Sequence, residues 1–240
     1  LVMRISAAGA VIWSRFVSYI GLTGYYDMYV HEAMITSTGD IVISTDYNLM
    51  KLDGNGNEVW QKKIPTMQFN PSFQQLIETA DGGILAAGVT VQTAIINKFD
   101  AQGTMLWSKL YQNALVGLQG IVEVNGSFYF IAKGWDGISS NTYSYNILGK
   151  LNSSDGLISW IKKLGTTSSN FRTEYTYDKI QSVNNNLVIS GFTNYDYTGP
   201  NAASQSIVTL SLAGDILEAK KILQNDFVTD RTLLFKKKRY

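Results

Sequence analysis

An all-β fold built from tandem four-stranded units follows from three features of this sequence. Tryptophan recurs in matching contexts, AAGAVIW ending at Trp13, GNGNEVW at Trp60, AQGTMLW at Trp107 and SDGLISW at Trp160, at spacings of 47, 47 and 53 residues. Between successive tryptophans lie four short runs rich in Val, Ile, Leu and aromatics, separated by Gly, Asn and Asp. No stretch keeps a 3.6-residue apolar period for ten residues, so helices are expected to be nearly absent. Four antiparallel strands per period of about 45 residues predict a β-propeller of four-stranded blades. A β-solenoid fits less well, because its coils are usually shorter. A barrel has no reason to place tryptophan in every fourth strand.

The runs fall in order along the chain. Leu1–Ile5 and Val11–Phe16 read as the outer two strands of a partial first blade. HEAMITS, DIVISTD, NLMKLD and NEVWQKKI make the second blade, and FQQLIET, ILAAGV, AIINKFD and TMLWSKLY the third. GIVEV, SFYFIAK, YNILGKL and LISWIKKL make the fourth, and DKIQSV, NLVISGF, SIVTLSL and DILEAKKI the fifth. A fifth copy of the tryptophan motif, LAGDILEA, ends at Ala219 and reads as alanine in place of tryptophan. The turns TGD, DGG, NGS and NNN suit tight hairpins, whose residues must tolerate positive φ.

The expected division is therefore one propeller domain over 1–240, with four full repeats (30–64, 73–111, 118–164 and 177–223) and partial terminal blades (1–20 and 224–240). If Phe227–Lys237 supplies inner strands to the first blade, the ring has five blades. Otherwise the chain, which opens on Leu1, is a fragment of a larger propeller, or flanking domains or a partner chain cover the open edge. Unpaired strand edges invite aggregation.

Composition narrows the function classes. The chain has 240 residues, 45% hydrophobic and 16% charged, as expected of a folded domain. A net charge of +1 argues against nucleic acid as a partner, because phosphate binding needs concentrated positive charge. The absence of cysteine excludes disulfides and thiolate metal sites. No apolar run approaches the roughly 20 residues that span a bilayer, and no signal peptide is visible.

The blocks IETADGGILAAG, INKFDAQGTMLW and MKLDGNGNEVW resemble a repeat of secreted bacterial β-propellers, in which DGG and an apolar run are followed by a KLDxxGxxxW-type segment. More distantly they resemble quinoprotein repeats and those of outer-membrane assembly scaffolds. The resemblance implies an extracellular, cell-surface or periplasmic bacterial location. It also implies that Trp13, Trp60, Trp107 and Trp160 dock each blade on its neighbour. Such repeats serve adhesins, scaffolds and enzymes alike, so the resemblance speaks to fold and not to activity. No cofactor is expected, because neither a vicinal cysteine pair nor a matching set of acids is found.

Few residues invite a chemical reading. Asp53, Asn55 and Asn57 have the spacing that opens a calcium loop, but no acidic residue follows at the twelfth position, so the segment reads as a turn and no metal is expected. His31 is the only histidine and adjoins Glu32, and neighbours on a strand point to opposite faces. The basic run Lys236–Arg239 reads as a solvated end, and the sequons at Asn125 and Asn152 lie in tight turns.

The informative asymmetry is loop length. First-to-second and third-to-fourth strand connections are tight, whereas Val17–Val30, Pro65–Ser72, Gly134–Asn146, Gly165–Tyr177 and Phe192–Ser206 are long. The aromatic residues Tyr25, Tyr26, Trp135, Tyr143, Tyr145, Tyr175, Tyr177, Tyr195 and Tyr197 follow these loops, among Ser, Thr, Asn and Gly. Rigid amphipathic rings beside adaptable polar residues suit the recognition of a glycan or a protein. The expectation is a non-catalytic interaction module. The alternatives are a scaffold subunit of a cell-envelope assembly and, less favoured for want of clustered acids, a polysaccharide-acting enzyme.

Overall fold

In the computed structural model, the structure describes residues 1–16, 29–45, 48–64, 72–90, 93–112, 115, 117–135, 144–164, 176–193 and 204–222. Every regular element among them is a strand. β1 (Val2–Ile5) and β2 (Val11–Arg15) form a two-stranded hairpin, the first blade. The second blade is β3 (Val30–Ile35), β4 (Ile41–Thr45), β5 (Asn48–Leu52) and β6 (Glu58–Lys63). The third is β7 (Ser72–Glu78), β8 (Ile84–Thr90), β9 (Thr93–Phe99) and β10 (Met105–Leu110). The fourth is β11 (Gly117–Val124), β12 (Ser127–Trp135), β13 (Ser144–Leu151) and β14 (Ile158–Leu164). The fifth is β15 (Thr176–Val183), β16 (Asn186–Thr193), β17 (Ser204–Leu210) and β18 (Ile216–Ile222).

Each full sheet is antiparallel and ordered first to fourth strand. Its second and third strands, such as ILAAGVT and TAIINKF, are buried nearly throughout because blades cover both of their faces. Fourth strands such as MLWSKL alternate instead. The core therefore lies between blades. Val42 and Leu49 of the second blade pack with Phe73, Ile84 and Phe99 of the third. Leu85 and Ile96 meet Phe128, Phe130 and Leu151, and Leu148 meets Leu187 and Leu210.

The tryptophans supply the outer contact, in one repeated geometry. Each lies over a positive-φ glycine in the third-to-fourth turn of the following blade: Trp13 over Gly56, Trp60 over Gly103, Trp107 over Gly156 and Trp160 over Gly214. A Cβ on those glycines would come within 2.7–3.0 Å of the ring, so only glycine leaves room. Trp13, Trp60 and Trp107 also donate Nε1–H to the carbonyls of Gly54 (3.0 Å), Ala101 (3.2 Å) and Ser153 (3.1 Å) in the same turns.

One feature of the expected repeat is corrected. Lys51, Lys98 and Lys150 pair across the sheet with Trp60, Trp107 and Trp160, and the same register in the fifth blade pairs Thr209 with Glu218. Glutamate, not Ala219, therefore stands at the tryptophan position. Counting four residues from the turn glycine finds it, since Gly214 precedes Glu218 as Gly56 precedes Trp60.

Candidate binding face

Antiparallel order puts the two kinds of connection at opposite blade ends, and at the tight-turn end the polar groups are used internally. Asp53 accepts the amides of Asn55 and Asn57 on Oδ1 (2.8 Å each) and the side-chain amide of Asn57 on Oδ2 (2.9 Å). The Asn57 side chain and then its amide hold the carboxyl below the usual carboxylate range. Both carboxylate oxygens thus close the turn that resembles the start of a calcium loop. Asp100 caps its own turn in the same way, through the amides of Gln102 (2.9 Å) and Thr104 (2.7 Å). Among the described residues no three His, Cys, Asp or Glu cluster in a metal-binding arrangement.

Carboxylates at this end also tie blades together. Glu78 accepts from the amide (2.6 Å) and hydroxyl (2.9 Å) of Ser37, and Glu123 accepts from the amide of Ala80 (2.8 Å). Lys98 lies almost fully buried and donates to Asp81 (2.8 Å) and Thr79 (2.6 Å). A groove of about 400 Å³ runs past this group between Trp107, Phe128 and Glu123.

At the opposite end the strands extend further into the expected loops than their composition suggests. Trp135 is the last residue of β12, where its backbone pairs with Ser144. Tyr145 belongs to β13; its ring packs on Gly134 and carries the Lys163 ammonium 3.8 Å from its centroid. Tyr177 belongs to β15 and is 8% exposed, packed with Leu187 and Ile189, which corrects its assignment to a ligand-facing surface. Its backbone pairs with Gly191 as Phe73 pairs with Gly88, a large residue opposite a small one, and that repeat is the signal for a core position. Tyr29, just before β3, is exposed. Tyr25, Tyr26, Tyr143, Tyr175, Tyr195 and Tyr197 lie outside the described residues.

Two further features escape a reading of the sequence. His31 Nδ1 lies 3.2 Å from the Ser72 hydroxyl, joining the starts of two first strands 41 residues apart. Glu32 accepts from the amide of Ala33. The second feature is an apolar cavity of about 700 Å³ where β1 faces Ala33, Met34, Ile41 and Ile43. It lies beside β1, which among the described residues has no strand in the position that β4 holds beside β5.

No protein-family model matches the sequence, and no curated protein matches it. Solved structures do. A protein of unknown function from Bacteroides caccae matches with TM-score 0.53 and 13% identity over 92% of this chain and 68% of its own. The WD40 domain of Neurospora crassa Pan2 matches with TM-score 0.53 and 10% identity over 80% of this chain and 49% of its own. Quinohemoprotein alcohol dehydrogenase from Comamonas testosteroni matches with TM-score 0.54 and 13% identity over 82% of this chain and 36% of its own. The chain thus spans about half of the WD40 structure and about a third of the dehydrogenase. At these identities the likeness is one of fold: the molecule is an all-β propeller-type array of four-stranded antiparallel blades.

Proposed function

We propose that this propeller is a non-catalytic interaction module of a secreted or cell-surface bacterial protein, which takes a glycan or protein partner on its long-loop face. The observation that carries the reading is the contrast between the two blade ends. Asx caps, Glu clasps and tryptophan seats occupy the polar groups of the tight-turn end. In the sequence most of the tyrosines fall in the long connections, and among the described residues Tyr145 is backed by Gly134 and topped by Lys163. A ring held by a glycine and a cation is pre-organised and loses little freedom on binding. The resemblance to secreted bacterial repeats supports the location.

The test compares Tyr143→Ala, Tyr145→Ala, Tyr195→Ala and Tyr197→Ala, singly and together, on a glycan array and in melting. Lost array binding with unchanged melting supports a glycan site. Binding untouched by all four, or a large drop in melting for each variant, overturns the loop-face reading. A scaffold role in an envelope assembly is the second reading. The hairpin β1–β2, which has no third strand among the described residues, favours it, and co-purification of stoichiometric envelope subunits would establish it.

A further inference from the structure

The blades are joined in one direction. At each of the four seams, a tryptophan on a fourth strand covers a turn glycine of the following blade. Two positions in the described array break the series. Glu218 occupies the tryptophan position of the fifth blade, exposed and paired with Lys220 at 2.9 Å. At the other end, the turn of the first blade has the seat without the ring.

That seat is built like the others. Ser6 N–H donates to the Ala10 carbonyl at 2.8 Å and Gly9 N–H to the Ser6 carbonyl at 2.9 Å, matching Asp53–Asn57 (2.8 Å) and Gly56–Asp53 (3.0 Å). Gly9 has φ +83°, beside +81° at Gly56 and +78° at Gly103. Yet among the described residues nothing stands within 4 Å of where its Cβ would be. A second observation falls on the same face. Ile5 holds the register position of Leu52, Phe99, Leu151 and Leu210, each opening the pairing to a fourth strand. Those four are 1% exposed or less, whereas Ile5 is 52% exposed and Met3 beside it is exposed as well.

We propose that this face of β1–β2 is the seat for the outer hairpin of a further blade of the same repeat, a partner strand whose tryptophan lies over Gly9 and donates its N–H to the Ala7 carbonyl. The four internal seams supply the argument, since each shows this seat filled by that residue. Ala7 corresponds to Gly54 and Ala101, the acceptors for Trp13 and Trp60. A second copy of this chain is the wrong occupant, because it would bring Glu218 to the seat and set a carboxylate against a carbonyl and an apolar surface. The inference does not depend on the loop-face reading and leaves it untouched if it fails.

The experiment installs the missing ring. Glu218→Trp provides a fifth-blade tryptophan, and the mass of the full chain is followed with concentration beside its melting temperature. Head-to-tail association strengthened roughly tenfold or more, the effect of one buried aromatic anchor, supports the proposal; an unchanged monomer with a higher melting temperature, in which the chain seats its own tryptophan and so leaves no room for a further blade, overturns it. The gain in association must vanish in Glu218→Trp/Gly9→Asn, where a residue that tolerates positive φ fills the seat. Glu218→Phe keeps the ring without the N–H donor, and its gain must be smaller; it also serves if the tryptophan variant fails to fold by circular dichroism. No change in mass or melting with either aromatic, or a gain that survives Gly9→Asn, overturns the proposal.

Discussion

Trp60 covers Gly103 and gives its N–H to Ala101, so two different losses can be separated at one residue. Trp60→Ala should cost about 3–5 kcal/mol, the range for deleting a large buried ring. Trp60→Phe should cost less, on the order of 1 kcal/mol of it from the lost hydrogen bond; urea unfolding measures both. Asn97 offers a gain. Its side-chain amide is buried with neither atom partnered among the described residues, at the register position that Met50 holds in the second blade. Asn97→Met should therefore stabilise by about 1 kcal/mol, the penalty of an unpaired buried polar group, again read by urea unfolding. Asp81 gives a pH signature. Desolvation pushes its carboxyl up, but hydrogen bonds from Lys98, Thr79 and the Gly83 amide outweigh that and bring it from 3.8 to about 2. A carboxyl lowered by folding stabilises fully above its unfolded value, and that contribution drains as pH falls from about 4 toward 2. Melting followed across that window should show a slope that Asp81→Asn reduces.

Strands were the most legible elements, since runs such as ILAAGVT and TAIINKF are short, β-rich and bounded by Gly, Asn or Asp. The long-loop boundaries were less so. Tyr145 and Tyr177 read as loop residues because they sit among Ser, Thr and Asn, yet cross-strand pairing carries the strands through them. Local composition does not reveal how far a ladder runs; the recurrence of a large residue opposite a glycine does. The slip from Glu218 to Ala219 has the same origin. Fourth strands begin with a register shift, so counting from the last turn finds the position and matching alanine to tryptophan does not. Contacts such as His31 with Ser72 join separate blades and have no local signature. Element position also sets local stability. Among the described residues β1 pairs on one side only and is exposed on most of its length, whereas β8 is paired on both sides and buried. Hydrogen exchange should release the amides of Val2–Ile5 first and hold those of Leu85–Ala87 longest, as mass spectrometry of peptide fragments would show.

Across the molecule, each blade contacts chiefly the blades before and after it, so stability should be nearly a sum over blades and seams. Trp13→Ala and Trp160→Ala disturb distant seams and should add within about 0.5 kcal/mol in a double-mutant cycle. Trp60→Ala and Trp107→Ala flank the same third blade and should depart from additivity by more than that. The direction of the tryptophan seats has a further consequence for synthesis. On a ribosome each of the four seam indoles emerges before the glycine that will shelter it, so the newest blade waits for the next. Trp60 precedes Gly103 by 43 residues, a delay of about 2–9 s at ordinary elongation rates. Over that interval the nascent chain shows one unsheltered ring to chaperones and proteases, and each repeat completes its predecessor before it is complete itself. Nascent chains arrested before Gly103 leaves the exit tunnel should therefore be cleaved near Trp60, and chains arrested well after it should resist.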